Sequence, residues 1–427
     1  MNLIVNQSKM SMLPLAHWRK YIFALIAATC AGSFSVAAEQ TLCTVNFRDG
    51  GGYKEGSVLK ESADGIEIQI AGATLDTADA SSTQFIRWDQ IRSISGDSAE
   101  PIRSRRLEIG ESLWRGRTRL TRGDLRGARE CFLVAAKGIE PSASLLRMMS
   151  SEGIAQTASV ARDEWAQSLE AALKLSVLRG RIGVPKSWID AIDPIDHDGG
   201  LILSVAPVWI DGDSAKSAQG FLVAAADRAR SENDVALAQI ESDVARIAAA
   251  DAGLPQPPAG KSRETQSASP DSMPSGSWPP VTNSAKSAAK NGAKFLALWA
   301  DAVSSDPAAR KKSRTSLAQM IRSEEGMLRV WAMYAEGRSL VMESDPDEVR
   351  KGVGKMLMIP AAYGIEMPRL AEAAVAQSAI ALARIQDGES AAILRRIQSE
   401  YQAQFSEGVE KDNGKQIETQ IDKQKGD

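Results

Sequence analysis

A chain of 427 residues that is 43% hydrophobic and 25% charged has ordinary globular composition, with room for two or three domains. A net charge of −3 argues against general affinity for nucleic acid or anionic membrane, and 5% aromatic residues with abundant alanine favours helices packed through small side chains. Two histidines, His17 and His197, exclude zinc sites built on several imidazoles, and three cysteines cannot supply four thiolates.

In chain order, Lys9, Arg19 and Lys20 precede the apolar run YIFALIAATCAG, and SFSVAAEQ then offers small residues for cleavage after Ala37 or Ala38. This is the pattern of a secretory signal peptide over residues 1–38. The run is about 12 residues where roughly 20 are needed to span a bilayer, so no transmembrane segment is expected after cleavage. Thr29 before Cys30, and Ala27 where leucine is usual, speak against a lipoprotein anchor. Cleavage removes three positive charges and takes the net charge to about −6. The expected address is the periplasm or the extracellular space. An oxidising compartment permits Cys43 and Cys131 to pair, although a strand cysteine and a helix cysteine on apolar faces read first as buried free thiols.

Residues 39–100 read as a small β-barrel. Cys43, Val45 and Phe47 alternate with Thr44 and Asn46, GIEIQIAG alternates Ile66, Ile68 and Ile70 with polar residues, and FIRWDQIRSISG closes the unit. Period two with one apolar face marks half-buried strands, and short strands with Gly and Asp turns suit an SH3-like or Sm-like barrel.

From Ile102 the period changes to that of a helix, and residues 101–251 form a mainly α domain. The stretch SLWRGRTRLTRGDLRGARECFLVAAKGIEP resembles a tetratricopeptide helix pair, with Gly116, Gly123, Asp124, Ala128, Phe132 and Ala135 at that repeat's small and aromatic positions. Small residues let two helices approach, Gly123-Asp124 makes the turn, and Phe132 fills the groove. Trp114 and Arg119 depart from the repeat's usual pattern, and Pro141 comes one residue late. Leu145, Leu146, Met149 and Ile154 give one further apolar stripe, and Trp165, Leu169, Leu173 and Val177 another. Phe221, Leu222 and Ala225, followed by Val235, Leu237, Ile240, Val244 and Ile247, predict one more helical hairpin.

Residues 252–292 hold seven of the 17 prolines and many serines, the composition of a disordered linker that lets two helical regions move independently. Residues 293–405 then read as a C-terminal helical domain, with Leu328, Trp331, Ala335 and Leu340 near one face. It closes with a second tetratricopeptide-like pair that puts Gly388 at the turn, Ala391 and Ala392 at the close approach, and Tyr401 at the far end. Residues 406–427 are a polar tail. The whole order, leader, FIRWDQIRSI, LWRGRTRLTRGD, VWAMYAEGRSL, MLMIPAAYG and the last pair, resembles exported proteins of planctomycete-type bacteria. That resemblance implies the architecture and the address, and brings no activity or catalytic residue.

The most chemical-looking stretch is DAIDPIDHDGGL, residues 190–201. Asp193, Asp196 and Asp198 form a candidate cation loop, with Asp211 and Asp213 downstream. An EF-hand register fails because Gly199 at the sixth position places Pro194 first and Val205 last. Asp-Pro and Asp-Gly-Gly are ordinary turn chemistry, so the stretch reads as a connection from the helix near SWID into an extended LILSVAPVWI. A Ser-His-Asp or Cys-His arrangement would have to use His197, and no G-x-S-x-G accompanies it. There is no Walker loop, and no strand leads into GDLRGARECF, so no cofactor is expected.

One surface feature points to a partner. Residues 103–129 hold nine arginines, and Arg115, Arg119, Arg122 and Arg126 recur at spacings of four, three and four, which would be one face of a helix unbroken at Gly123-Asp124. Such a stripe suits an acidic partner protein or polymer through bidentate guanidinium contacts, while pairs such as Glu111 to Arg115 would make it a solvated face. The expectation is a protein-binding or scaffolding module of the cell envelope acting on other envelope proteins, without catalysis. The alternative is an envelope hydrolase using carboxylates or His197.

Overall fold

In the computed structural model, the described residues are 42–71, 83–96, 101–161, 164–182, 201–202, 204–257, 283–323, 326–385 and 387–405. The leader, the tail, the candidate cation loop with His197, and Trp278 lie outside them.

Five strands open the fold: β1 (Leu42–Phe47), β2 (Tyr53–Glu61), β3 (Gly65–Ile70), β4 (Thr83–Arg87) and β5 (Ile91–Ser95). They form one antiparallel sheet in the order β4-β3-β2-β1-β5, with Val45 opposite Lys54 on one side and Ile94 on the other. A single 3-10 turn, Trp88–Gln90, carries the chain from β4 to β5. The alternating residues Cys43, Val45, Ile66 and Ile68 are all buried, as period two requires. Their polar neighbours Thr44, Glu67 and Gln69 point the other way.

Twelve helices follow among the described residues. The first four are α1 (Pro101–Thr121), α2 (Leu125–Gly138), α3 (Ser144–Gln156) and α4 (Trp165–Ile182); the fifth and sixth are α5 (Gly212–Ser231) and α6 (Val235–Asp251). Beyond residue 282 come α7 (Asn283–Ala302), α8 (Pro307–Ser323), α9 (Gly326–Leu340), α10 (Pro346–Tyr363), α11 (Pro368–Ala383) and α12 (Gly388–Phe405). Short turns between α1 and α2, and between α5 and α6, force those helices into antiparallel hairpins. Aspartates set several starts: Asp124, Asp211, Asp234 and Asp345 each accept a backbone amide of their own helix's first turn.

Two cores organise these elements. The smaller joins the inner face of the sheet to α1, α2 and α3 through residues such as Trp88, Leu113 and Phe132. The larger runs from Phe85 of β4 through α4, α5 and α6 to α7–α11 and Ile397 of α12. Helices on both sides of residues 258–282 therefore share one interior. The independent movement expected of residues 101–251 and 293–405 gives way to a single packed body, and α7 already begins at Asn283, inside the expected linker. Residues 201–211 differ too. The described residues among them form no long strand, yet Leu201, Ile202, Val205, Val208 and Trp209 are buried in the larger core, and Trp165 Nε1 donates to the Ala206 carbonyl at 3.1 Å.

Sheet and helices are also joined by a borrowed cap. The amides of Leu145 and Leu146, at the start of α3, both donate to Oδ1 of Asp64 in the β2–β3 turn at 3.0 Å. Burial lifts the Asp64 carboxyl to about 6, against the lowering effect of those two amides.

Candidate functional site

The α1–α2 hairpin carries the predicted arginines, and its construction follows the small-residue pattern. Phe132 of α2 is fully buried between two glycines: a Cβ on Gly116 of α1 would stand 2.7 Å from its ring, and one on Gly153 of α3 would stand 2.4 Å away. Gly123 takes φ +80° in the turn, a conformation costly for a side chain with a Cβ, and Asp124 caps α2 by accepting from Gly127 N at 3.0 Å. Ala128 and Ala135 are fully buried, so all six positions sit where the turn and the close approach need them.

The turn breaks the arginine stripe. Arg115 and Arg119 stand on α1, Arg122 lies in the turn, and Arg126 starts a different helix. Arg115 pairs with Glu111 at 2.6 Å, the i to i+4 contact expected of a solvated face, and Arg119 lies 3.8 Å from Asp124. The side chains of Arg122 and Arg126 are exposed and make no ion pair or hydrogen bond among the described residues. Other arginines of this stretch serve the fold. Arg117 pairs with Asp49 at 2.7 Å while Trp114 Nε1 donates to the other oxygen of Asp49 at 2.6 Å, tying α1 to the β1–β2 turn. Arg129 is buried, donating to Glu164, Gln167 and the Ile154 carbonyl. Arg103 and Arg106 engage Glu61, and Arg106 also holds Glu140. Spacing alone did not separate the free arginines from these.

Asp211 spends its carboxylate on the α5 cap, accepting from Ser214 N at 2.7 Å, with Asp213 in the same first turn. Among the described residues no group of three or more His, Cys, Asp or Glu is placed to hold a metal ion. Cys43 is buried and Cys131 half-buried, and the two are not joined in a disulfide.

Several ionisable groups that the sequence reading passed over are buried in the helical interior. Glu241 of α6 is fully buried with neither carboxyl oxygen hydrogen-bonded, and burial next to Glu170 pushes it up to about 8. Asp251 at the end of α6 pairs with Arg338 of α9; burial raises the Asp251 carboxyl, and Arg338 opposes that rise. Arg246 of α6 reaches Asp301 of α7 at 2.8 Å. The signal was present in VALAQIESDVARIAAAD, where apolar and small residues on every side of α6 leave its acids no solvated face. The Asp251–Arg338 and Arg246–Asp301 pairs hold helices to one another. A small apolar hollow in the helical interior, lined by Leu169, Leu173, Ile202, Leu296 and Trp331, is about 10 Å³, roughly one water.

A larger hollow, about 420 Å³, opens on the surface between α1 and the end of α2. The fold and these features together define a mainly helical protein with a small N-terminal antiparallel sheet. Comparisons with protein-family models, with curated proteins and with solved structures find no match to the chain. No helix among the described residues is long and apolar enough to cross a membrane.

Proposed function

We propose that this protein is a non-catalytic docking platform of the cell envelope, exported by the leader over residues 1–38, that binds an acidic partner protein through the turn of the α1–α2 hairpin. The observation that carries the reading is the contrast between Arg122 and Arg126, exposed and unpaired, and the buried charges of the interior, which join helices. Guanidinium groups left without an intramolecular partner on a rigid turn are suited to bidentate recognition of carboxylates. The strand order with a 3-10 turn before β5 supports an SH3-like or Sm-like unit at the N-terminus, and the Gly116, Phe132 and Gly153 packing supports a tetratricopeptide-like hairpin.

The test is cross-linking in native envelopes with the parent chain and with Arg122→Glu/Arg126→Glu, followed by mass spectrometry. Loss of the parent's adducts in the variant is the expected result. An unchanged set of adducts would remove the hairpin turn as the binding element.

A further inference from the structure

The α1–α2 hairpin has a second cationic feature at its base, the end away from the turn. There the 420 Å³ hollow lies between the first half of α1 and the last turn of α2. Ile109, Ile139 and Pro141 give it an apolar lining. Two of its charges cancel: Arg106 forks onto Glu140, Nε to Oε1 at 3.0 Å and Nη2 to Oε2 at 3.3 Å. The side chains of Arg105 and Lys137, also in the lining, are exposed and make no ion pair or hydrogen bond among the described residues. An apolar floor thus lies beside two uncompensated cations.

We infer that this hollow docks an acidic peptide segment that also carries an apolar side chain. The carboxylates would meet Arg105 and Lys137, and the apolar group would cover Ile109, Ile139 and Pro141. Charge complementarity argues for the acid, because the unspent charge in the hollow is wholly positive. Its volume falls within the range of ligand-sized sites, enough for one or two side chains and too small for a folded domain. The hollow also borders the C-terminal end of α2, whose last carbonyls can accept amide N–H groups that a peptide brings and a bare phosphate does not. The inference rests on the docking reading above but concerns a different end of the hairpin.

Fluorescence anisotropy with the full chain and a fluorescein-labelled peptide of alternating glutamate and leucine tests it. Saturable binding is expected, weakened about tenfold or more by Arg105→Glu/Lys137→Glu and left within about twofold by Arg122→Glu/Arg126→Glu, with unchanged thermal melts showing that both variants fold. Equal binding by the Arg105→Glu/Lys137→Glu variant and the parent would overturn the proposal. So would complete displacement by inorganic phosphate at matched ionic strength, or equal binding of an alternating lysine and leucine peptide. If only the variant at the turn loses the peptide, the hollow is dismissed and the docking reading at the turn stands.

Discussion

Asp251, the last residue of α6, accepts a hydrogen bond from the guanidinium of Arg338 in α9, 87 positions along the chain. Both side chains are almost completely shielded from solvent. Because residues 258–282 lie between them, this contact fastens the helices before that stretch to those after it. Arg246 with Asp301, and Gln256 Nε2 donating to the Val303 carbonyl at 2.9 Å, fasten the same seam.

Breaking that pair from one side leaves a buried charge without its counter-ion. Arg338→Met is expected to cost about 3–5 kcal/mol in urea denaturation, whereas Asp251→Leu/Arg338→Met recovers much of the loss because neither charge remains. A double variant no more stable than the single one would show that the pair does not act as a unit.

The Phe132 clamp predicts a steric penalty. Gly153→Ala places a methyl group 2.4 Å from the ring and is expected to cost about 1–3 kcal/mol, with Phe132→Leu partly relieving it in the double variant. Denaturation midpoints of the three variants check this, and a neutral Gly153→Ala would contradict the described packing.

Glu241 gives the pH dependence. Its carboxyl is raised from 4.5 to about 8 in the folded chain, so the folded state holds a proton there that the unfolded state releases. The contribution is present below pH 4.5 and is lost as pH rises through about 8. Glu241→Gln, neutral throughout, should therefore flatten the decline of melting temperature between those limits. Asp64 behaves in the same sense over a lower window, from 3.8 to about 6, and Asp64→Asn should keep the cap of α3 while removing that slope. Parallel pH profiles for parent and variants would count against both assignments.

Local features were legible in the sequence where one physical cause dominated. Gly116, Gly123, Asp124 and Phe132 announced a hairpin because close approach and a turn admit few residue types. Strand β2 was not singled out, since most of YKEGSVLKE is exposed or half-buried and gives no clean alternation. At α12 the turn at Gly388 holds, but Ala391 and Ala392 are exposed and the contact is made by Ile393, Leu394 and Ile397. Val235 is likewise 52% exposed, because the first residue of α6 projects beyond its packed face. The merged core was illegible for a different reason: whether two amphipathic faces bury each other or something else is a tertiary fact that no spacing encodes. The arginine stripe was visible, but which arginines remained free depended on acids as distant as Asp49 and Glu164.

A platform built as one body requires the two halves to stay together without a covalent connection. A specific protease site inserted between residues 258 and 282, cleaved to completion and followed by size-exclusion chromatography and calorimetry, measures this directly. The fragments should co-elute at the volume of the intact chain and unfold in one transition. Fragments that separate without denaturant, or that melt independently, would show that the shared interior does not hold the helices as a single platform.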